Sequence, residues 1–224
     1  MSKLNIAIDG PAGAGKSTIA KIISKKLGII YLDTGAMYRA VALKAINEGI
    51  DTRDAAALEK LAQDINVSIV YQGSEQRVLL DGDDVSGKIR TPEVSIGASD
   101  VSAVPAVRLK MVELQRDIAQ NADVVMDGRD IGTFVLPNAS LKIFLTASVD
   151  ERAKRRYEEQ LSKGMTGITL DEVKKDIEYR DKNDSQRAFA PLSKAQDAIE
   201  VDTTNSTIDE VAGKIISYVE SKQI

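Results

Sequence analysis

Eight residues near the start of the chain, Gly10-Pro11-Ala12-Gly13-Ala14-Gly15-Lys16-Ser17, leave it fewer folding options than any other stretch. They match G-x-x-x-x-G-K-[ST], the phosphate-binding loop or P-loop. Before them, Leu4-Asn5-Ile6-Ala7-Ile8 is a short apolar run ended by Asp9-Gly10-Pro11, which reads as a buried strand. After them, Ile19, Ile22, Ile23 and Leu27 recur at helical spacing, and Gly28 stands where a C-terminal cap belongs. Between strand and helix, glycines let backbone N–H groups turn inward, and the helix start adds unpaired amides with partial positive charge. Lys16 supplies a point charge for the β- and γ-phosphates, and the Ser17 hydroxyl is a ligand for Mg2+. A chance match within 224 positions is on the order of one in a hundred.

The same rhythm continues. Ile29 to Leu32 reads as a second strand and Ala36 to Asn47 as a helix closed by Gly49. Val124-Val125-Met126, Leu141 to Leu145 and Ala198 to Val201 are further buried strands. Ser148 with Glu151, Thr169 with Glu172, and Thr207 with Glu210 are spaced as capping boxes opening three late helices. Alternating strands and helices imply right-handed βαβ units, hence an α/β fold with a five-stranded parallel sheet covered on both faces. One stretch departs from this. Val67 to Tyr71 and Arg77 to Leu80, joined by Gln72-Gly73-Ser74, read as an antiparallel hairpin, and Asp81-Gly82-Asp83-Asp84 turns toward a third short segment. The expected division is a core of residues 1–63, 105–150 and 188–224, a β insert at 64–104 and a helical lid at 151–187.

Composition narrows the chemistry. The chain has no Cys and no His, so thiolate nucleophiles, disulfides, thiolate or histidine metal sites and imidazole bases are all excluded. What remains is carboxylates, Lys, Arg, hydroxyls, backbone amides and a hard metal ion. A net charge of −4 argues against a protein that coats nucleic acid. No apolar run approaches the roughly 20 residues of a membrane span, and the stretch after Met1 to Leu4 is too brief for a signal-sequence core. A cytoplasmic protein is the expectation.

A P-loop implies a nucleoside triphosphate without saying what it is for. The guanine-reading N-K-x-D order is missing; Asp181-Lys182-Asn183-Asp184 has the wrong sequence. A second ligand site is suggested by Val124 to Asp130, a strand ending in Asp127-Gly128-Arg129-Asp130, because ligands of doubly wound sheets bind at carboxyl ends of strands. There Asp127 suits the waters of Mg2+, Arg129 a phosphate, and Asp130 an amino group. Asp33 or Thr34 is placed to N-cap the helix that carries Arg39. Arg152, Arg155 and Arg156, and then Arg180, Asp184 and Arg187, are spaced to share helical faces around Gly164-Met165-Thr166-Gly167. That is the pattern of a lid closing over phosphates. The alternative is a solvated face on which Asp150, Glu151, Glu158 and Glu159 pair with the arginines.

Several strings in order resemble the bacterial cytidylate kinases, nucleoside monophosphate kinases acting on CMP and dCMP. They are Ile8-Asp9-Gly10-Pro11, Asp33 to Arg39, Val85-Ser86-Gly87 with Ile89-Arg90, Asp127 to Gly132, and Arg180-Asp181 with Asp184, Arg187 and Pro191. The resemblance runs essentially end to end. It implies transfer of the ATP γ-phosphoryl to CMP or dCMP with Mg2+ on a P-loop NTPase-type fold. By position, Gly10, Pro11, Ala12, Gly13, Ala14, Gly15, Lys16, Ser17 and Thr18 would hold ATP, with Ser17 on the metal. Arg39 and Arg129 would hold the acceptor phosphate; Ser99, Arg108 and Asp130 with Arg187 would read cytosine; Thr34, Arg180 and Asp184 would contact the sugar. Lys16, Asp127, Arg129 and Arg156 would carry the chemistry. Relatives often have Ser at the Thr34 position and Gly at the Ser17 position. A monomer with small-molecule substrates, and no nucleic-acid or membrane partner, is expected. Competing readings are a P-loop kinase with another small acceptor and a nucleotide-driven binding module, although a switch needs no second anion site.

Overall fold

The computed structural model describes residues 3–73 and 75–221. At its centre β1 (Asn5–Asp9) belongs to a five-stranded sheet with β2 (Ile30–Asp33), β6 (Val124–Gly128), β7 (Leu141–Thr146) and β8 (Ile199–Asp202), in the order β2-β6-β1-β7-β8. Every pairing is parallel, with Ile6 opposite Val125 on one side and Leu141 on the other. Side chains of a strand alternate between faces. Accordingly Ile6, Ile8, Tyr31, Val125 and Ile143 enter one core, against α1 (Lys16–Leu27) and α8 (Ile208–Ser221). Ala7, Leu32, Val124 and Met126 enter the other, against α2 (Thr34–Asn47), α3 (Ala55–Asp64) and α5 (Pro105–Asn121). Burial on both faces explains why these strands are continuous apolar runs. Ile6 and Ile8 are fully buried, and such a side chain contributes about 1.5–3 kcal/mol. Because all five strands run one way, the loops after β1, β2, β6 and β7 gather at one edge.

The antiparallel patch is a separate three-stranded sheet of β3 (Val67–Gln72), β4 (Glu75–Leu80) and β5 (Asp83–Asp84). Its register pairs Val67 with Leu80 and Ile69 with Val78. Val67, Val78 and Leu80 are buried and join the α2-side core. Ser74, expected in the hairpin turn, lies outside the described residues. The Gln76 amide grips the backbone of Asp33, accepting from its N–H at 2.7 Å and donating to its carbonyl at 3.3 Å. The hairpin is thereby tied to the carboxyl end of β2.

Three helices had no counterpart in the sequence expectations: α3, α4 (Pro92–Val101) and α5. α4 buries small residues such as Ser95, Gly97 and Ala98, so it shows no apolar stripe. The inward face of α5 carries Arg108 and Gln115, each 1% exposed, which interrupts the periodicity that pattern reading depends on. The late helices are α6 (Val149–Ser162) and α7 (Leu170–Gln186), followed after β8 by α8. Thr169/Glu172 and Thr207/Glu210 form complete capping boxes. The third expected box is only half made. Ser148 accepts from the Glu151 N–H, but the Glu151 carboxylate is taken by Arg155 Nε at 2.8 Å. α7 also ends one residue before Arg187, so Arg187 caps the helix instead of sharing a face with Arg180. Among the described residues no helix is long and apolar enough to cross a membrane.

Candidate active site

The loop between β1 and α1 wraps because its glycines permit it. Gly10 has φ +147°, and a Cβ there would lie 2.0 Å from the Leu145 carbonyl oxygen of β7. Gly15, φ 85°, is the N-cap of α1 in the left-handed region, with no side chain bonded to the helix start. The first turn of α1 holds no acidic residue, so its N-terminal amides are left for an anion. Lys16 is buried, and its ammonium donates to the Pro11 carbonyl at 2.6 Å. Burial, and then the neighbouring Arg129, push its pKa well below the ordinary lysine value. Ser17 Oγ donates to Asp127 Oδ2 at 2.9 Å, while the buried Tyr31 hydroxyl donates to Asp127 Oδ1 at 2.8 Å. Burial, and then the nearby Asp33, raise the Asp127 pKa.

The loop opens into a cavity of about 980 Å³. Ala12 to Thr18 line it; Gly10 and Pro11 shape the loop without reaching the cavity wall. Thr34, Arg39, Ser99, Arg108, Asp127, Arg129, Asp130, Arg156, Arg180, Asp184 and Arg187 line the same space, so the fold brings together residues drawn from most of the chain. Eleven cationic and six acidic side chains face it, in a chain whose net charge is −4.

On the near side of the acceptor region, Asp33 N-caps α2 by accepting from the Ala36 N–H at 2.9 Å, and pairs with Arg90 at 3.0 Å and Arg39 at 3.6 Å. Thr34 Oγ1 donates to the Asp127 carbonyl at 2.7 Å, locking β2 to β6. Arg129 Nε donates to Asp184 Oδ2 at 2.7 Å, and Ser99 Oγ donates to Asp184 Oδ1 at 2.7 Å. These cations outnumber their partners. Burial, followed by Arg129, pushes the Arg180 guanidinium down to about 9, and its Nε has no hydrogen-bond partner. Burial also lowers Arg39, despite the favourable charge of Asp33. Crowded, desolvated guanidinium groups of this kind are stabilised by a bound anion.

Deeper lies a buried triad. Asp130 accepts from Arg108 Nη1 at 2.7 Å and pairs with Arg187 Nη2 at 3.3 Å. Arg108 also stacks over Tyr38 at 5.1 Å and donates to the Ser102 carbonyl. Arg187 is lowered to about 10 by burial, then by Arg108. The triad offers planar donors and acceptors at the closed end of the cavity.

The first lid set separates. Arg155 binds Glu151 and the Thr203 carbonyl, and Arg156 binds Glu159 at 2.9 Å; both still line the cavity. Arg152 turns away into the protein, donating to the carbonyls of Ala147 and Ala12. The pairing expected of a solvated face therefore does occur at Glu151 and Glu159, without removing Arg155 or Arg156 from the cavity. Sequence reading gave no site role to Tyr38, Arg90, Ser102, Thr207 and Ile208, which line the cavity, or to Tyr31, which reaches the site through Asp127. Tyr31 lies in a segment that reads as a buried strand, and Tyr38 and Arg90 lie in the motifs of the family resemblance without an assigned role.

A P-loop and an arginine-crowded second pocket within one cavity define a P-loop kinase. A family model described as cytidylate kinase matches residues 6–221. The chain is 52% identical over 220 residues to the cytidylate kinase of Limosilactobacillus reuteri (strain DSM 20016), covering 98% of this chain and 96% of the relative. It is 51% identical over 222 residues to that of Halalkalibacterium halodurans, covering 99% and 100%. A solved structure, an uncharacterized protein from Eubacterium ventriosum, shares the fold with a TM-score of 0.54 at 16% identity, covering 98% of this chain and 99% of that one. The chain belongs to the cytidylate kinase family, the nucleoside monophosphate kinases among the transferases.

Proposed function

We propose that the protein transfers the γ-phosphoryl group of ATP to CMP and dCMP, giving CDP or dCDP and ADP. The observation that carries this reading is the electrostatic excess of the cavity: Lys16 at the donor loop is buried and Arg39, Arg129 and Arg180 opposite it are half-buried, eleven cationic side chains face six acidic ones, and desolvation pushes Lys16, Arg39 and Arg180 below their ordinary pKa values. Two anions facing each other relieve that excess. Lys16 and the amides of Gly13 to Thr18 hold the donor phosphates, while the adenine end lies toward Thr207 and Ile208. Arg39 and Arg129 hold the acceptor phosphate. An oxygen of that phosphate attacks the γ-phosphorus in line as the bond to the β-bridging oxygen breaks. Lys16, Arg129, Arg156 and Arg180 stabilise the charge on the oxygens in flight.

No imidazole is needed, because the acceptor phosphate is already an anion at neutral pH. Ser17 and Asp127, two hard oxygen donors 2.9 Å apart, fit Mg2+ and would hold it at the donor phosphates. When bound, the metal supplies charge neutralisation at the β- and γ-phosphate oxygens. The Tyr31 hydroxyl keeps Asp127 aimed at Ser17. Asp130, Arg108 and Arg187 with Ser99 read the cytosine edge; Asp184, Thr34 and Arg180 border the sugar. Residues 64–104 act as the acceptor-side insert, residues 151–187 as the lid, and the enzyme works as a cytoplasmic monomer.

Coupled ADP release measured across CMP, dCMP, UMP, AMP and GMP tests the reading. CMP and dCMP are expected to give the highest kcat/KM. Turnover with CMP no faster than background ATP hydrolysis contradicts it.

A further inference from the structure

The tip of the donor loop belongs, by its contacts, to the lid. The Ala12 N–H donates to Asp181 Oδ1 at 3.1 Å. The Ala12 carbonyl accepts from Arg152 Nη1 at 2.8 Å, and the same nitrogen pairs with Asp181 Oδ2 at 2.5 Å. Both polar groups of one loop residue are thus claimed by α6 and α7. The Ala12 side chain is 2% exposed and sits in a small apolar cluster with Ala153, Val173 and Ile177, separate from the two main cores. The fit continues at Gly13, where a Cβ would stand 3.1 Å from the Arg152 carbonyl oxygen and the Arg152 Cβ. The Ala12 amide is thus directed at a carboxylate of α7.

Asp181 directly follows Arg180. Adjacent helical residues point about 100° apart, so α7 sends one side chain to the loop and the other into the cavity. The Arg180 Nε has no hydrogen-bond partner of its own, so its place depends on how α7 is held. One turn further, Asp184 anchors α7 to Ser99 and Arg129 on the acceptor side. Arg180 therefore stands between a donor-side anchor, Asp181, and an acceptor-side anchor, Asp184.

We propose that Asp181 is a positioning residue for phosphoryl transfer: with Arg152 it latches α7 onto Ala12 and so registers Arg180 against the donor phosphates. The proposal rests on the kinase reading above. Loss of Asp181 therefore weighs more heavily on the transfer step than on acceptor binding, since of the residues bordering the sugar only Arg180 depends on this latch, while Asp184 is held by Ser99 and Arg129. Asp181 itself touches neither nucleotide.

The test uses Asp181→Asn, which keeps the side chain's shape, with Asp181→Ala as a second variant. For Asp181→Asn, kcat is expected to fall about 10- to 100-fold, the range for an angstrom-scale misplacement. CMP affinity without ATP, read by calorimetry, falls by a much smaller factor than kcat, the split that marks a transition-state contribution. Asp181→Ala shows the same split, and faster hydrogen exchange in a peptide containing Ala12. A lower melting temperature with unchanged kcat in both variants overturns the latch, showing only a brace of the fold. So does an equal loss of CMP affinity and kcat/KM at constant kcat. Should the wild type phosphorylate a different monophosphate, the kinase reading is corrected while the latch is tested unchanged on that acceptor.

Discussion

Lys16→Met is expected to lower kcat about 1,000-fold, the upper range for removing one charge-stabilising donor from a water-poor site, with melting temperature and CMP affinity near wild type. The structure explains why the loss is confined to catalysis. The Lys16 ammonium is buried beside Arg129, and burial together with that guanidinium works against its charge. Its one hydrogen bond, to the Pro11 carbonyl, stays within its own loop. The folded protein without nucleotide gains little from the charge, and Met fills a similar volume. Steady-state kinetics with CMP and a thermal melt check this together. A variant within tenfold of wild-type kcat removes Lys16 from the chemistry; one that fails to fold shows that the charge is structural.

Asp130→Ala is expected to act on stability and on selectivity at once. Asp130 is 3% exposed and lies between Arg108 and Arg187, themselves 1% and 7% exposed. Removing it leaves two buried guanidinium groups facing each other without a counter-charge, a change of about 3–5 kcal/mol. For a chain of this size that corresponds to a melting temperature lower by roughly 10 °C. Saturating phosphate restores little of it, because the lost charge lies at the base end of the cavity. Asp130→Asn keeps an acceptor oxygen, and is expected to fold better while losing most of the preference for CMP over UMP. An unchanged preference in Asp130→Asn refutes the base contact. An unchanged melting temperature in Asp130→Ala refutes the buried triad.

These outcomes depend on contacts that only partly showed in the sequence. The P-loop, the five parallel strands and the hairpin were readable because each is local: an apolar run, a helical spacing, a turn. Even the two-faced core followed from strands with no polar alternation. The strand order β2-β6-β1-β7-β8 had no such local signal, since it is set by crossovers packing across the whole sheet. α5 escaped pattern reading for the reason that makes it useful, namely that its inward face carries Arg108 into the site. Residue types at the site were readable from the family resemblance, but their partners were not. Asp184 and Arg129 are 55 positions apart, and Ser99 and Asp184 are 85 apart. Arg152 looked like another phosphate gripper beside Arg155 and Arg156. The fold instead turned it inward, because the loop tip at Ala12 presents a carbonyl there.

The central claim is that donor and acceptor nucleotides are held at the same time in one cationic cavity. Calorimetric titration of CMP into protein already saturated with a non-hydrolysable ATP analogue tests it most directly. The account predicts one CMP bound per chain, at least as tightly as in the absence of the analogue, with no displacement of the first ligand. Mutual exclusion of the two nucleotides would contradict it.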